Sequence, residues 1–235
     1  MRMDSLRNNS IFTRGQYLKK AFFTFFPRIL FKCLPFIKGR QRKHWESQRP
    51  GDIHGYEKFE IDDGTSVTLL KEIKSRVDKD EAILDLGCNC GRHLVKLRSE
   101  GYTNLSGLDI CQNAIDYGRK KFDLLSDVEL IVGSFEEELP RLASINRKFD
   151  LIYSVGANLA VVYPSFDIIR YICMLCQKYV ILIFDDAGHS YPRFWEYEFG
   201  LHNFLLTKLL RPFDGSESIA DANGISALLV FKRVR

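Results

Sequence analysis

The sequence lacks an uninterrupted apolar run long enough to cross a membrane. Its most apolar stretch, residues 21–37, is broken by Pro27, Arg28, Lys32 and Pro35. As a helix it would reach only about 25 Å, whereas the hydrocarbon core of a bilayer is about 30 Å thick. No small-residue cleavage site follows it, so a secretory signal peptide is not expected. The composition, 46% hydrophobic and 27% charged, is ordinary for a globular domain.

The sequence also lacks the cysteine patterns of a zinc site or a disulfide framework. Six cysteines are present, but Cys173 and Cys176 form the single C-x-x-C pair, and no second pair has zinc-ligand spacing. That pair lies in a segment whose pattern predicts an amphipathic helix running into a strand, where free thiols pack as small hydrophobic groups. We therefore expect no metal site and a reducing, cytoplasmic location.

A third absence is the glycine pattern of nicotinamide-dependent enzymes. Residues 82–97 read as a strand ending at Asp85, then a tight turn and a helix. A dinucleotide-binding turn that starts at Gly87 needs glycines at the positions of Asn89 and Arg92. The sequence therefore argues against NAD at this turn. Gly87 still permits a sharp turn close to a ligand, and Asn89 tolerates a left-handed backbone.

From residue 65 onward, the sequence contains helical and strand patterns in alternation. Because the strand-like runs are short, apolar and separated by helices, they predict a parallel sheet with helices on both faces, an α/β fold. Predicted strands lie at 81–87, 104–110, 127–133, 149–155, 178–186 and 225–234. Helical patterns cover 65–77, 91–101, 113–122, about 166–177 and a long mixed stretch at about 192–209.

Two of these strand ends resemble the cofactor-binding motifs of class I S-adenosylmethionine-dependent methyltransferases. Asp85, Gly87, Asn89 and Gly91 give the spacing D-x-G-x-N-x-G, similar to motif I with Asn in place of its middle glycine. Asp109 ends the next predicted strand, 22 residues after Gly87. A carboxylate there can accept hydrogen bonds from two ribose hydroxyls. The alternative is that Asp109 only caps the following helix.

Two further segments complete the resemblance, which covers roughly residues 55–235. Residues 128–139 are similar to motif II, although Ser134 stands where many members carry an acidic residue, and residues 149–164 are similar to motif IV. The resemblance implies a Rossmann-like fold with a mostly parallel seven-stranded sheet and S-adenosylmethionine as cofactor. It implies cofactor contacts from Asp85, Gly87, Cys88, Asn89, Gly91, Asp109, Ile110, Ser134, Phe135 and Ser154, with core packing as the alternative for Phe135.

The methyl acceptor and the general base are less clearly marked. The Glu-His pair of many small-molecule methyltransferases is absent from residues 158–160, and no N-P-P-Y or D-P-P-Y tetrad is present. His189 is the best candidate base, because an imidazole titrates near neutral pH. Arg193 and the neighbouring aromatic residues could line an acceptor site or form a packed lid. We expect a small-molecule, glycan or lipid-linked acceptor.

Charge divides the chain into a basic N-terminal arm, residues 1–50, and a cofactor-binding domain, residues 51–235. The arm has twelve Lys or Arg against two acidic residues, whereas the remainder has 22 against 28. One interpretation places residues 1–45 at an anionic membrane surface, peripheral on its inner face. The other folds the segment over the substrate side of its own domain.

Two alternative functions accompany the leading one. The basic arm also suits a nucleic-acid-associated methyltransferase or binding module, although its charges alternate with apolar runs and make nucleic acid the less favoured partner. A catalytically silent scaffold is the other alternative. It is disfavoured because Asp85, Gly87, Gly91 and Asp109 are intact.

Overall fold

The computed structural model describes residues 18–19, 21–22, 42–52, 55–60, 64–156, 158–184, 191, 193–210 and 227–234. Seven strands form one sheet. The strands are β1 Ile83–Leu86, β2 Leu105–Asp109, β3 Glu129–Val132, β4 Phe149–Val155, β5 Cys176–Phe184, β6 Phe204–Leu210 and β7 Ala227–Arg233. The main helices are α1 Thr65–Lys74, α2 Arg92–Ser99, α3 Gln112–Lys121, α4 Phe135–Ser144, α5 Ile168–Leu175 and α6 Trp195–Gly200.

The sheet has the strand order β3-β2-β1-β4-β5-β7-β6. The first five strands pair in parallel, and β7 runs antiparallel to both β5 and β6. The order reverses between β1 and β4, which is where open α/β sheets leave a crevice at the carboxyl ends of their strands. The predicted α/β fold with a mostly parallel seven-stranded sheet is confirmed.

Both faces of the sheet are covered, because successive strand residues point to opposite sides. In β1, Leu84 and Leu86 pack into one buried cluster while Ile83 packs into the other, and all three are fully buried. In β5, Val180 and Leu182 belong to the first cluster, and Ile181 and Ile183 to the second. The sheet is therefore the shared wall of two hydrophobic layers, which fixes the positions of the strand ends.

The carboxyl-terminal third departs from the sequence prediction. Instead of one helical stretch over about 192–209, the chain forms the short helix α6 and then the edge strand β6, which pairs with β7. The run Phe204–Leu210 is apolar enough to be read as a helix, and periodicity alone does not separate short apolar helices from strands. β5 also begins earlier than predicted, at Cys176, because α5 ends at Leu175.

The described residues offer neither a membrane-spanning helix nor a metal-binding cluster. No helix among them is long and apolar enough to span a membrane. No group of three or more His, Cys, Asp or Glu side chains among them could hold a metal ion. The five described cysteines are buried free thiols, as predicted for Cys173 and Cys176.

Candidate functional site

The turn after β1 has the backbone conformation that its sequence predicts. Gly87, Asn89 and Gly91 have φ angles of 81°, 49° and 82°. The amides of Gly87 and Cys88 both donate to the Leu108 carbonyl of β2, at 2.8 and 3.1 Å. This left-handed, hydrogen-bonded turn holds the backbone at the carboxyl end of the sheet, where a side chain at Gly87 would be strained.

Asp109 braces the same turn from the end of β2. Its Oδ2 accepts from the Asn89 amide at 2.8 Å, and its Oδ1 accepts from the Cys111 amide at 2.8 Å. The helix α3 begins after Cys111, and no side chain caps it. Burial raises the pKa of Asp109, while these amides oppose the rise. Since a carboxylate can accept about four hydrogen bonds, Asp109 retains capacity for a ligand.

A second carboxyl lies deeper, at the end of β1. Asp85 is 1% exposed. Burial raises its pKa to about 8; the Asp109 carboxylate adds to the rise, whereas the Tyr153 hydroxyl and Arg92 oppose it. Asp85 is thus largely protonated at neutral pH, since the charged form of a buried carboxyl is costly.

A cavity opens at this edge of the sheet, and its lining falls into two groups. We call the first group the loop wall, since its members follow the ends of β1 to β4. The loop wall consists of Gly87, Asn89, Asp109, Ile110, Gly133, Ser134, Phe135, Glu136, Val155 and Gly156. The second group, the cover wall, consists of Arg42, Trp45, Gln48, Phe59, Val161, Val162, Tyr163 and Tyr191.

Six of the ten residues predicted to contact the cofactor lie in the loop wall: Gly87, Asn89, Asp109, Ile110, Ser134 and Phe135. The other four lie behind it. Asp85 and Cys88 are buried beneath the turn. Ser154 is also buried, and its hydroxyl donates to the Leu86 carbonyl at 2.8 Å, which ties β4 to β1.

Gly91 is the fourth residue behind the loop wall, and it sits at the start of α2. A Cβ there would meet Leu125 at 2.8 Å, so its role is close packing of the loop. Ser134, at the start of α4, donates to Glu137 Oε2 at 2.8 Å. That contact engages a hydroxyl that the resemblance places among the cofactor contacts.

The cover wall contains residues that the sequence analysis did not identify. Arg42, in a short helix at 42–46, pairs with Glu137 of α4 at 3.0 Å. Gln48 is buried and accepts from Asn89 Nδ2 at 3.4 Å. Part of the predicted basic arm therefore lies against the domain. No local motif marks this contact, because it joins residues far apart in the chain.

For Arg193 the sequence left two roles open, lining an acceptor site or forming a packed lid. Arg193 is fully buried and pairs with Glu198 at 3.2 Å, and it is not among the residues that line the cavity. These contacts agree with the packing role. Tyr191 does line the cavity, with its amide on the Ala160 carbonyl and its ring edge-on to Tyr163. His189 lies outside the described residues.

Comparison with known proteins agrees with this architecture. Residues 83–175 match the profile of a family described as "Methyltransferase domain". No curated protein matches the sequence. The matched segment runs from β1 through α5. It contains the loop wall but not the cover-wall residues Arg42, Trp45, Gln48 and Phe59.

Solved structures share the fold at low sequence identity. Magnesium protoporphyrin IX methyltransferase from Synechocystis PCC 6803, with bound S-adenosylmethionine, has a TM-score of 0.57 and 14% identity, covering 95% of this chain and 99% of that chain. An S-adenosylmethionine-dependent methyltransferase proposed in Listeria monocytogenes has a TM-score of 0.55 and 14% identity, covering 72% of this chain and 100% of that chain. A proposed RNA methyltransferase from Pyrococcus horikoshii has a TM-score of 0.54 and 14% identity, covering 73% of this chain and 84% of that chain.

Proposed function

We propose that this chain, which carries an S-adenosylmethionine-dependent methyltransferase domain, binds that cofactor against the loop wall and methylates a small-molecule, glycan or lipid-linked acceptor held by the cover wall. The observation that carries the proposal is the position of Asp109. Its carboxylate lines the cavity beside the left-handed turn Gly87–Gly91, at the point where the strand order reverses. Ligands of open α/β sheets bind at this point.

The residues of the loop wall fit such a cofactor in shape as well as in chemistry. Gly156 has a φ of +90°, and apart from its chain neighbours no atom of the described residues lies within 4 Å of the point where a Cβ would stand. It lines the cavity, so its missing side chain leaves room for a ligand. Ile110 and Phe135 supply apolar surface for a flat base, and Asp109 supplies acceptors for hydroxyls.

The bound sulfonium would supply an already activated methyl group. The part of the chain is then to hold the acceptor atom in line with that methyl at about 3–3.5 Å and to exclude water. Trp45, Phe59, Tyr163 and Tyr191 give the cover wall the apolar surface for both tasks. Burial raises the pKa values of Tyr163 and Tyr191, so both phenols are protonated at neutral pH and can donate hydrogen bonds but not accept a proton. His189 remains our proposed base.

The cover wall favours an acceptor with an apolar portion over a polyanion. Arg42 is the one basic residue among the described residues lining the cavity, and its guanidinium is already paired with Glu137. Asp109 and Glu136 are acidic. A nucleic acid is the second candidate, because residues 1–50 carry twelve basic residues and a proposed RNA methyltransferase shares the fold. The phosphates of such an acceptor would need cations that this part of the cavity does not present.

The two interpretations of residues 1–45 enter the proposal unequally. The ion pair of Arg42 and the burial of Gln48 support a segment that folds over its own domain. Peripheral contact with an anionic membrane remains a proposal for the residues that precede them. A lipid-linked acceptor would suit that location.

The experiment has a binding stage and a transfer stage. Calorimetry on the full chain should give saturable heat with S-adenosylmethionine and S-adenosylhomocysteine and none with NAD; the reverse pattern would refute the proposal. Methyl-labelled cofactor is then incubated with extracts, which are fractionated into small molecules, lipids, glycans and RNA. We expect label in one of the first three fractions, and label confined to RNA would replace our acceptor with the second candidate.

A further inference from the structure

Gln48 is the most deeply buried polar residue of the cover wall. It is 3% exposed although it belongs to residues 1–50, which the charge pattern sets apart as a basic arm. Its backbone carbonyl accepts from Asn113 Nδ2 at 3.3 Å, and its side chain reaches Asn89 in the turn after β1. The backbone of Gln48 is thus held by α3, and its side chain is held by the loop wall.

The orientation of its amide follows from the neighbouring hydrogen bonds. The Cys90 amide donates to Asn89 Oδ1 at 2.8 Å, so Asn89 must present its Nδ2 donor to Gln48. Gln48 must therefore accept with Oε1, and its Nε2 donor takes no part in this contact. That nitrogen is buried and has no hydrogen-bond partner among the described residues.

An unsatisfied buried donor is costly, and most such groups in folded proteins find a partner. Gln48 is joined to Asp109 through Asn89, whose side-chain amide donates to Gln48 and whose backbone amide donates to Asp109. Asp109 offers only acceptors when ionised, while Gln48 Nε2 offers only donors. Together they are complementary to a hydroxyl group, which donates one hydrogen bond and accepts others.

We propose that Gln48 is a ligand-binding residue of this site, donating from Nε2 to a sugar hydroxyl whose proton is bound by Asp109. The inference rests on the proposed function, since the hydroxyl is that of the cofactor ribose. It adds a second contact from outside the matched residues 83–175 and makes the segment 42–52 part of the cofactor site.

The test measures binding of S-adenosylhomocysteine and of its 2′-deoxy and 3′-deoxy analogues by calorimetry on the full chain. Gln48→Leu removes the side-chain amide, whereas Gln48→Glu keeps an acceptor for Asn89 Nδ2 but removes the donor. Gln177→Leu is the matched control, since Gln177 is exposed near the amino end of β5, whereas the cavity lies at the carboxyl ends of the strands. Thermal melts check that each variant is folded.

A hydrogen bond between neutral groups predicts a roughly 3- to 10-fold loss of affinity for S-adenosylhomocysteine in both Gln48 variants and none in the control. The loss should vanish with the deoxy analogue that lacks the contacted hydroxyl. Equal loss with all three ligands, or no loss, would overturn the proposal, because Gln48 would then only dock the segment. If the unaltered chain bound none of the ligands, the proposed function itself would fail, and this inference with it.

Discussion

The two walls of the cavity are built in different ways. The loop wall depends on backbone hydrogen bonds between neighbouring strand ends, such as those of the Gly87 and Cys88 amides to Leu108 and of the Gly133 amide to Asp109. The segment 42–52 of the cover wall is joined to the loop wall and α4 mainly by side-chain contacts, including those of Arg42 with Glu137 and of Asn89 with Gln48. The first wall is therefore fixed by the sheet, whereas the second is held by a few long-range contacts.

This difference assigns separate tasks to the walls. A wall made of backbone turns changes little from one sequence to another, so it suits a common cofactor. A wall made of side chains on a separate segment varies freely, so it suits recognition of a particular acceptor. Substitutions in the loop wall should affect cofactor binding strongly. Those in the cover wall should affect it more weakly, including those of Gln48, which we propose contacts the cofactor ribose.

The largest effect is expected from Gly156→Val. At a φ of +90°, the new side chain would project from the lining of the cavity into the proposed cofactor site, at a point where no described residue other than its chain neighbours has an atom within 4 Å of the Cβ. We expect S-adenosylhomocysteine binding to fall more than about 100-fold, because steric exclusion removes most of the contact. Calorimetry measures this loss.

Gly101→Val provides the matched control for backbone strain. Gly101 has a φ of +89° and lies at the end of α2, where the nearest atoms to a Cβ would belong to the flexible side chain of Lys79. Both variants should lose similar stability, while only Gly156→Val should lose binding. Normal binding in Gly156→Val would show that the cofactor does not lie against the loop wall.

Asp109→Ala should have the next largest effect. Hydrogen bonds to a charged group contribute about 1.5–3 kcal/mol, so cofactor affinity should fall roughly 10- to 150-fold. Stability should also fall, because the Asn89 and Cys111 amides lose their acceptor. Asp116→Ala on the exposed face of α3 is the control. An unchanged dissociation constant in folded Asp109→Ala would reduce Asp109 to a structural brace of the turn.

Arg42→Ala should have the smallest effect. Arg42 and Glu137 are 39% and 56% exposed in their side chains, and exposed ion pairs contribute about 0–1 kcal/mol. We expect a change in cofactor affinity of less than about threefold, which disappears at high salt. Lys74→Ala, which breaks the exposed pair with Glu100, gives the background for such a loss. A tenfold loss of affinity would mean that Arg42, like Gln48, contacts the ligand directly.

The sheet was predictable where local signals agree. β1 to β5 are short apolar runs bounded by turn residues and helices, so their existence and their parallel pairing followed from the pattern. β6 was not predicted, because the run Phe204–Leu210 is almost wholly apolar and its strand character comes from pairing with β7. That pairing depends on residues of β7, more than fifteen positions away in the chain.

The site divided along the same line. Gly87, Asn89 and Asp109 were identifiable because each lies where a predicted strand ends and a turn or helix begins. Arg42, Trp45 and Gln48 were not, because their place in the site depends on where the segment 42–52 lies in space. The basic character of residues 1–50 left two interpretations open, contact with an anionic membrane or with the substrate side of the same domain, and the burial of Gln48 supports the second for the segment 42–52.

The cysteines around the turn after β1 provide a built-in reporter of its opening. Cys88, Cys90 and Cys111 are each at most 4% exposed, and burial raises the pKa of all three thiols, that of Cys90 to about 11. A thiol-reactive reagent can modify them only in molecules whose loop has opened locally. The labelling rate therefore measures the free energy of that opening, and a bound cofactor that holds the loop closed slows it. Cys173 and Cys176 are buried where α5 meets the amino end of β5, away from this loop, and their labelling rates supply the internal reference.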